Sequence, residues 1–178
     1  WSSDGYRLLK SEDGAATWDD ITDAIEDEAG GSFPLLKVAT DNVDPDFVAV
    51  ALDIPASMVH VYISEDGGST FEEVAGDLSA FGNVFELAVS PEVDGDRDIA
   101  IGGTDWATAL LFRSTATGDS ASAWEDATDW SPLPLPAGDY PGWDNDGTLG
   151  SLAVVDIHFP TSWDEDNTIL VATATNTS

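Results

Sequence analysis

The chain has no cysteine. No disulfide framework can hold it and no thiolate can serve as nucleophile or soft metal ligand, although that absence does not assign a redox compartment. Positive charge is almost as scarce: five Lys and Arg stand against 35 Asp and Glu, a formal net charge of −30. Nucleic-acid phosphates and anionic lipid headgroups are bound by Lys and Arg that displace counter-ions, so this balance excludes nucleic-acid partners and polybasic attachment to membranes. No apolar run approaches the roughly 20 residues that a membrane-crossing helix needs, and no membrane insertion is expected. The first residues lack the pattern of a secretory signal, and the chain opens on Trp1, which reads as a processed product or a piece of something larger.

What is present argues for a folded domain. Of the 178 residues, 42% are hydrophobic and seven are Trp, a content that acidic disordered chains lack. That length suffices for one domain with a core. The acidity suits an extracellular, halophilic or cation-rich setting.

Self-comparison is the most informative step. Leu8 to Thr22, "LLKSEDGAATWDDIT", aligns with Val61 to Ala75, "VYISEDGGSTFEEVA". A third copy, Leu110 to Thr128, "LLFRSTATGDSASAWEDAT", fits with three extra residues in its turn. The closing aromatics Trp18, Phe71 and Trp124 recur at a constant interval. Between these copies lies a second repeated element, from Phe33 to Asp53, Val84 to Asp105 and Leu152 to Thr175: an apolar strand, an acidic turn and another apolar strand. β-Branched runs punctuated by Asp, Gly and Pro are hairpin signals.

Each unit of about fifty residues therefore holds four strands, A to D. In one unit they are expected at Leu35–Thr40, Phe47–Leu52, Met58–Ser64 and Phe71–Ala75. In the next they are expected at Val84–Ser90, Asp98–Gly103, Ala109–Ser114 and Ala123–Ala127. Asp20 to Ala29, closed by Gly30-Gly31, is the one helical candidate. Four antiparallel strands per period give an all-β fold of β-propeller blades. The chain divides into a partial blade at 1–32, a blade at 33–79, a blade at 80–130 with a long connector at 129–150, and a partial blade at 151–178. Propellers use four to eight blades, so these three blades' worth are expected to be a segment of a larger propeller or to be completed by other chains.

At Ser64, Asp66, Gly68, Thr70 and Phe71 the sequence resembles the Asp-box (BNR, sialidase-type) repeat, S-x-D-x-G-x-T-W, with Phe71 in place of Trp. Ser11, Asp13, Thr17 and Trp18 match in the first copy, where Ala15 replaces the Gly. Ser114, Gly118 and Trp124 match in the third, where Ala116 replaces the Asp. The resemblance implies a turn between strands C and D of extracellular propeller blades, and the A-to-B hairpins resemble those of the same repeat. The repeat occurs in sialidases, other glycosidases, receptors, photosystem assembly factors and surface proteins, so it implies fold rather than activity. Elementary chemistry agrees: an Asp accepts hydrogen bonds from the turn's own N–H groups, and Gly supplies positive φ.

Sites for chemistry are sparse. Sialidases gather arginines on a substrate carboxylate, whereas Arg7, Arg97 and Arg113 are dispersed and no Arg-Ile-Pro motif is present. With 35 acids, any glycosidase-like carboxylate pair can be drawn, so no pair is singled out. Asp94, Asp96 and Asp98 alternate as in a calcium loop but lack the Gly and closing Glu of an EF-hand, so Ca²⁺ is the candidate ion in a chain otherwise expected to need no cofactor. His60 and His158 stand alone in strands. The connector carries Trp130, Tyr140 and Trp143, which are candidates to stack on sugar rings or to anchor a neighbouring subunit. Asn176 opens an N-x-S sequon, a candidate glycosylation site. The expected function is a non-catalytic extracellular or cell-surface module, such as a surface-layer or filament component. Its partners are other subunits or the rest of its own propeller. The alternative is part of a secreted glycoside hydrolase or a glycan-binding propeller.

Overall fold

The computed structural model describes residues 6–54, 58–78, 81–105, 109–117, 131–132, 151–166 and 168–175. The described strands form four separate antiparallel sheets in chain order, none closed on itself. The first pairs β1 (Leu9–Lys10) with β2 (Asp19–Asp20). The second runs in sequence through β3 (Leu35–Thr40), β4 (Val48–Ile54), β5 (Met58–Ser64) and β6 (Glu72–Leu78). The third runs through β7 (Asn83–Val89), β8 (Asp96–Thr104), β9 (Ala109–Thr117) and β10 (Ser131–Pro132). The fourth pairs β11 (Ser151–His158) with β12 (Leu170–Thr175).

Among the described residues two helical segments interrupt the strands. Helix α1 (Thr22–Ala29) occupies most of the expected Asp20–Ala29 segment and ends at Gly30 in the left-handed conformation, φ 74°. This is the C-terminal stop that glycine provides without a Cβ penalty. The short α2 (Trp163–Asp166) lies in the β11–β12 connection.

The three A–B hairpins share one irregularity. The ladder skips a residue between Leu35 and Lys37, between Val84 and Glu86, and between Val154 and Asp156. A β-bulge at one place in each hairpin fixes their equivalence. Lys37, Glu86 and Asp156 correspond, and so do their partners Ala51, Gly102 and Ala172. By the same register Leu170 corresponds to Ala100 and Ala49.

The core lies in the seams between sheets rather than inside any one sheet. Strands β4 and β8 are buried on both faces, so they read as continuous apolar runs rather than alternating ones. Phe47, Ala49, Ala51, Val61 and Ile63 of the second sheet pack on Leu87, Val89, Ile99 and Ile101 of the third. The opposite face of the second sheet, through Val50, Tyr62 and Phe71, packs on Leu8 and Ile25 from the segment of β1, β2 and α1. The third sheet's far face, through Ala100 and Leu111, packs on Val154, Ile157 and Trp163.

On the side of β9 away from β8, the described strand is Ser131–Pro132, which falls in the segment expected as connector. The expected Ala123–Ala127 strand lies outside the described residues. Strand β9 also overruns its expected end at Ser114, continuing to Thr117 opposite Asp96, whereas the corresponding β5 stops at Ser64. The physical reason is the missing acid. Ala116 has no carboxylate to accept N–H groups as Asp13 and Asp66 do in the other two copies, and here the ladder runs on past Ser114 to Thr117.

Candidate functional site

The two complete copies of the repeated turn have one hydrogen-bond scheme. In the second, Asp66 accepts from the Thr70 N–H at 2.8 Å, the Thr70 hydroxyl at 2.8 Å and the Ser64 hydroxyl at 2.9 Å. The Gly68 N–H in turn donates to Ser64 Oγ at 2.7 Å. In the first, Asp13 accepts from the Thr17 N–H at 2.8 Å, the Thr17 hydroxyl at 2.7 Å and the Ser11 hydroxyl at 3.0 Å. The Ala15 N–H donates to Ser11 Oγ at 2.8 Å. Both turns use two successive positive-φ residues, Gly67-Gly68 in one and Gly14-Ala15 in the other.

These carboxylates are spoken for by their own turns, as structural acceptors. The Thr17 N–H and hydroxyl hold the Asp13 carboxyl down at about 2. At Asp66 burial pulls upward, but the Thr70 N–H and hydroxyl outweigh it, and the carboxyl again lies below the usual range. A depressed carboxyl stabilises the fold above its unfolded pKa, and that contribution is lost as pH falls through the folded value. Carboxyl NMR should therefore find Asp13 titrating near 2, and the Thr17→Val variant should move it back toward 3.8.

The candidate calcium loop has a different geometry. The Val93 N–H donates to the Asp96 carbonyl and the Asp96 N–H to the Val93 carbonyl, each at 2.8 Å. Asp94 and Gly95 between them have φ of 54° and 89°. This is a two-residue hairpin turn of the type that favours Asp-Gly. Asp94 and Asp96 are exposed, whereas Asp98 is buried. Asp98 accepts the Thr115 hydroxyl and lies 3.5 Å from Arg113 Nε. Burial raises its pKa, against the pull of Thr115 and Arg113. Among the described residues no group of three or more His, Asp or Glu side chains converges as a metal cage would.

Arg97 is 1% exposed although it follows three acids or glycines at the hairpin. Its guanidinium pairs with the buried Asp41 and lies 3.5 Å from Asp44 and 3.7 Å from Glu92. It also sits 4.3 Å over the Phe47 ring. Asp41, Asp44 and Phe47 belong to the second sheet's hairpin, so Arg97 bridges two sheets. Lys37 reaches Glu86 at 3.8 Å across the same seam. Lys10 pairs with Glu12 at 2.7 Å and feels Asp46 and Asp66 of the next sheet. Arg7 pairs with Asp20 at 2.7 Å. All five cations are thus engaged with the chain's own acids, three of them across or beside a seam. The three arginines do not gather on a common point.

Comparison with family models, curated proteins and solved structures returns no match. The reading of the site therefore rests on geometry. A groove of about 240 Å³ follows β3, β7 and β11, lined by Thr40, Asn42, Glu86, His158 and apolar neighbours. Glu86 is the one carboxylate of its lining, so the described groove offers no facing carboxylate pair of the kind glycosidases use. His60 is not near it; its Nδ1 lies 2.8 Å from Glu73. Ser114, the third copy's serine, is buried, and its hydroxyl has no hydrogen-bond partner among the described residues, as expected where Ala116 replaces the turn acid. Gly118, Trp124, Trp130, Tyr140, Trp143 and Asn176 lie outside the described residues. Sequence reasoning missed the Arg97–Asp41 bridge. The available signal was a lone Arg flanked by Asp at the mouth of an apolar strand.

Proposed function

We propose that the chain is a non-catalytic scaffold module, a stack of β-propeller-type blades that works by contacting further protein units at a cell surface or outside the cell. One observation carries the reading: positions buried in the middle of the stack are exposed at its two ends. Phe71 is 4% exposed against the first sheet, while its counterpart Trp18 is 58% exposed. Tyr62 is 2% exposed, while its counterpart Leu9 is 47% exposed. At the other end Leu170 is 56% exposed, while Ala49 and Ala100 are fully buried. Apolar side chains presented at equivalent positions of a repeated interface mark surfaces made to be covered.

The engagement of every cation supports the same reading, since none is held in reserve for an anionic substrate. The net charge of −30 fits a surrounding rich in cations, with Ca²⁺ as a counter-ion candidate rather than the occupant of a cage. The test is a reducing-end assay with the 178-residue chain over a panel of sialylated and neutral glycans. The expected result is no hydrolysis. Turnover that survives rigorous repurification would sink the scaffold reading in favour of the glycoside hydrolase.

A further inference from the structure

We propose that Asp94 is a site of spontaneous backbone modification: its carboxyl closes on the Gly95 nitrogen as a cyclic imide, and the turn it occupies favours reopening to D-aspartate. The proposal goes beyond the scaffold reading and does not depend on it.

Asp-Gly pairs are open to this reaction because glycine leaves the attacking nitrogen unhindered. The described residues hold three of them, Asp13-Gly14, Asp66-Gly67 and Asp94-Gly95, each with its glycine at positive φ. Asp4-Gly5 and Asp146-Gly147 lie outside the described residues. The three pairs differ in the two groups that react. Asp13 and Asp66 are fixed by their turns, each accepting the N–H and the hydroxyl of the threonine four residues on. Those bonds hold the carboxyl ionised and turn it to the threonine rather than to its own glycine. At Gly67 the nucleophile is occupied as well. Its N–H donates to the Asp46 carbonyl at 2.8 Å, and Lys10 Nζ crowds the buried glycine.

Asp94 has neither restraint. Its side chain is exposed and makes no hydrogen bond among the described residues. The two bonds of the turn run between Val93 and Asp96, so the Gly95 N–H lies outside them. A carbon added at Gly95 would meet nothing within 4 Å, which leaves room for the rotation that ring closure needs.

The chemistry needs no co-reactant but water. The Gly95 nitrogen bonds to the Asp94 side-chain carboxyl carbon, the C–OH bond breaks, and the amide proton leaves with that hydroxyl as water. In the imide the Asp94 α-proton is acidified, passes to solvent and returns on either face. Water then opens the ring at one carbonyl or the other, giving α-linked aspartate or β-linked isoaspartate of either hand, with no change in oxidation state. The φ of 54° at Asp94 selects among these products. Left-handed backbone is penalised for an L-residue and is the favoured basin of a D-residue. Isoaspartate adds a main-chain carbon between Val93 and Asp96, which cannot then keep both 2.8 Å bonds. Both linkages can close again, so over repeated cycles the form that fits the turn accumulates. α-Linked D-aspartate preserves the hairpin and leaves Arg97, next after Asp96, in its seam.

The test incubates the 178-residue chain in warm neutral buffer and maps its peptides over time, with chiral separation of the Asp94 peptide. Isomers at Asp94 should accumulate at least about tenfold faster than at Asp13 or Asp66. The D share of the α-linked product should exceed that of the same chain incubated in urea, where no turn selects. Thr17→Val, which loosens the Asp13 carboxyl, should speed isomerisation at Asp13 and leave Asp94 unchanged. Equal rates at the three pairs, or no isomers at Asp94, overturn the site. A D share no higher than in urea overturns selection by the turn, and an unchanged Asp13 rate in Thr17→Val overturns protection by the turn's hydrogen bonds.

Discussion

Arg97→Ala should lower the unfolding free energy by about 3–5 kcal/mol, read as a fall in the urea midpoint at unchanged slope. Asp41 and the guanidinium are each about 1% exposed, so removing the cation leaves a carboxylate in the seam with no counter-charge, and the Val43 N–H that it accepts at 2.8 Å does not neutralise it. Asp44 and Glu92 are nearly half exposed, and their share of the loss is small because solvent screens them. The Phe47 ring loses the cation stacked on it as well. Arg97→Lys should recover only part of the loss, since one ammonium cannot reach Asp41 and Asp44 while lying flat on an aromatic face. Replacing both members, Arg97→Met with Asp41→Leu, should recover most of it, because two desolvated charges disappear together. A single Arg97→Ala effect below about 1 kcal/mol would mean that the seam between the second and third sheets is held by its apolar contacts alone.

Gly103→Ala should cost about 3 kcal/mol, at the upper end for one added methyl. A Cβ at position 103 would overlap the Asn83 carbonyl oxygen and stand 3.0 Å from the Phe81 ring. The colliding atom is backbone, fixed by the ladder that pairs Val84 with Gly103 and Asn83 with Thr104, so relief requires β7 and β8 to part. Gly95→Ala is the contrast. Its added Cβ meets nothing within 4 Å, and only the positive φ of 89° opposes it, a cost of about 1–2 kcal/mol. If both substitutions cost the same, the close approach of β7 to β8 is not what glycine at 103 serves.

Much of the strand layout was legible. β3 and β5 fall on their expected spans residue for residue, because β-branched runs there are bounded by Pro, Asp and Gly. Helix α1 was legible from the Gly-Gly stop. The turn acids were legible as acceptors because Ser, Asp and Thr stand at the spacing that one carboxylate can span. β9 was misjudged at its end, since the consequence of losing one turn acid at Ala116 is a longer ladder rather than a frayed turn. The seams were illegible for a different reason. That Arg97 crosses to Asp41, or that Trp18 lies bare where Phe71 is covered, depends on contacts between residues far apart in the chain. Alternating acids at Asp94, Asp96 and Asp98 looked alike in sequence, but a two-residue turn sends one of them into the core and leaves two in solvent.

The central proposal is that consecutive sheets stand as blades around a common axis, with β3, β7 and β11 toward it. The exposed positions Val38, Phe85 and Val155 sit on those three strands, and a chain without cysteine accepts spin labels at introduced cysteines alone. Pairwise dipolar distances among the three double variants test it directly. Blades around an axis require the Val38-to-Val155 distance to be clearly shorter than the sum of the Val38-to-Phe85 and Phe85-to-Val155 distances. A Val38-to-Val155 distance equal to that sum would describe a straight stack and contradict the propeller arrangement.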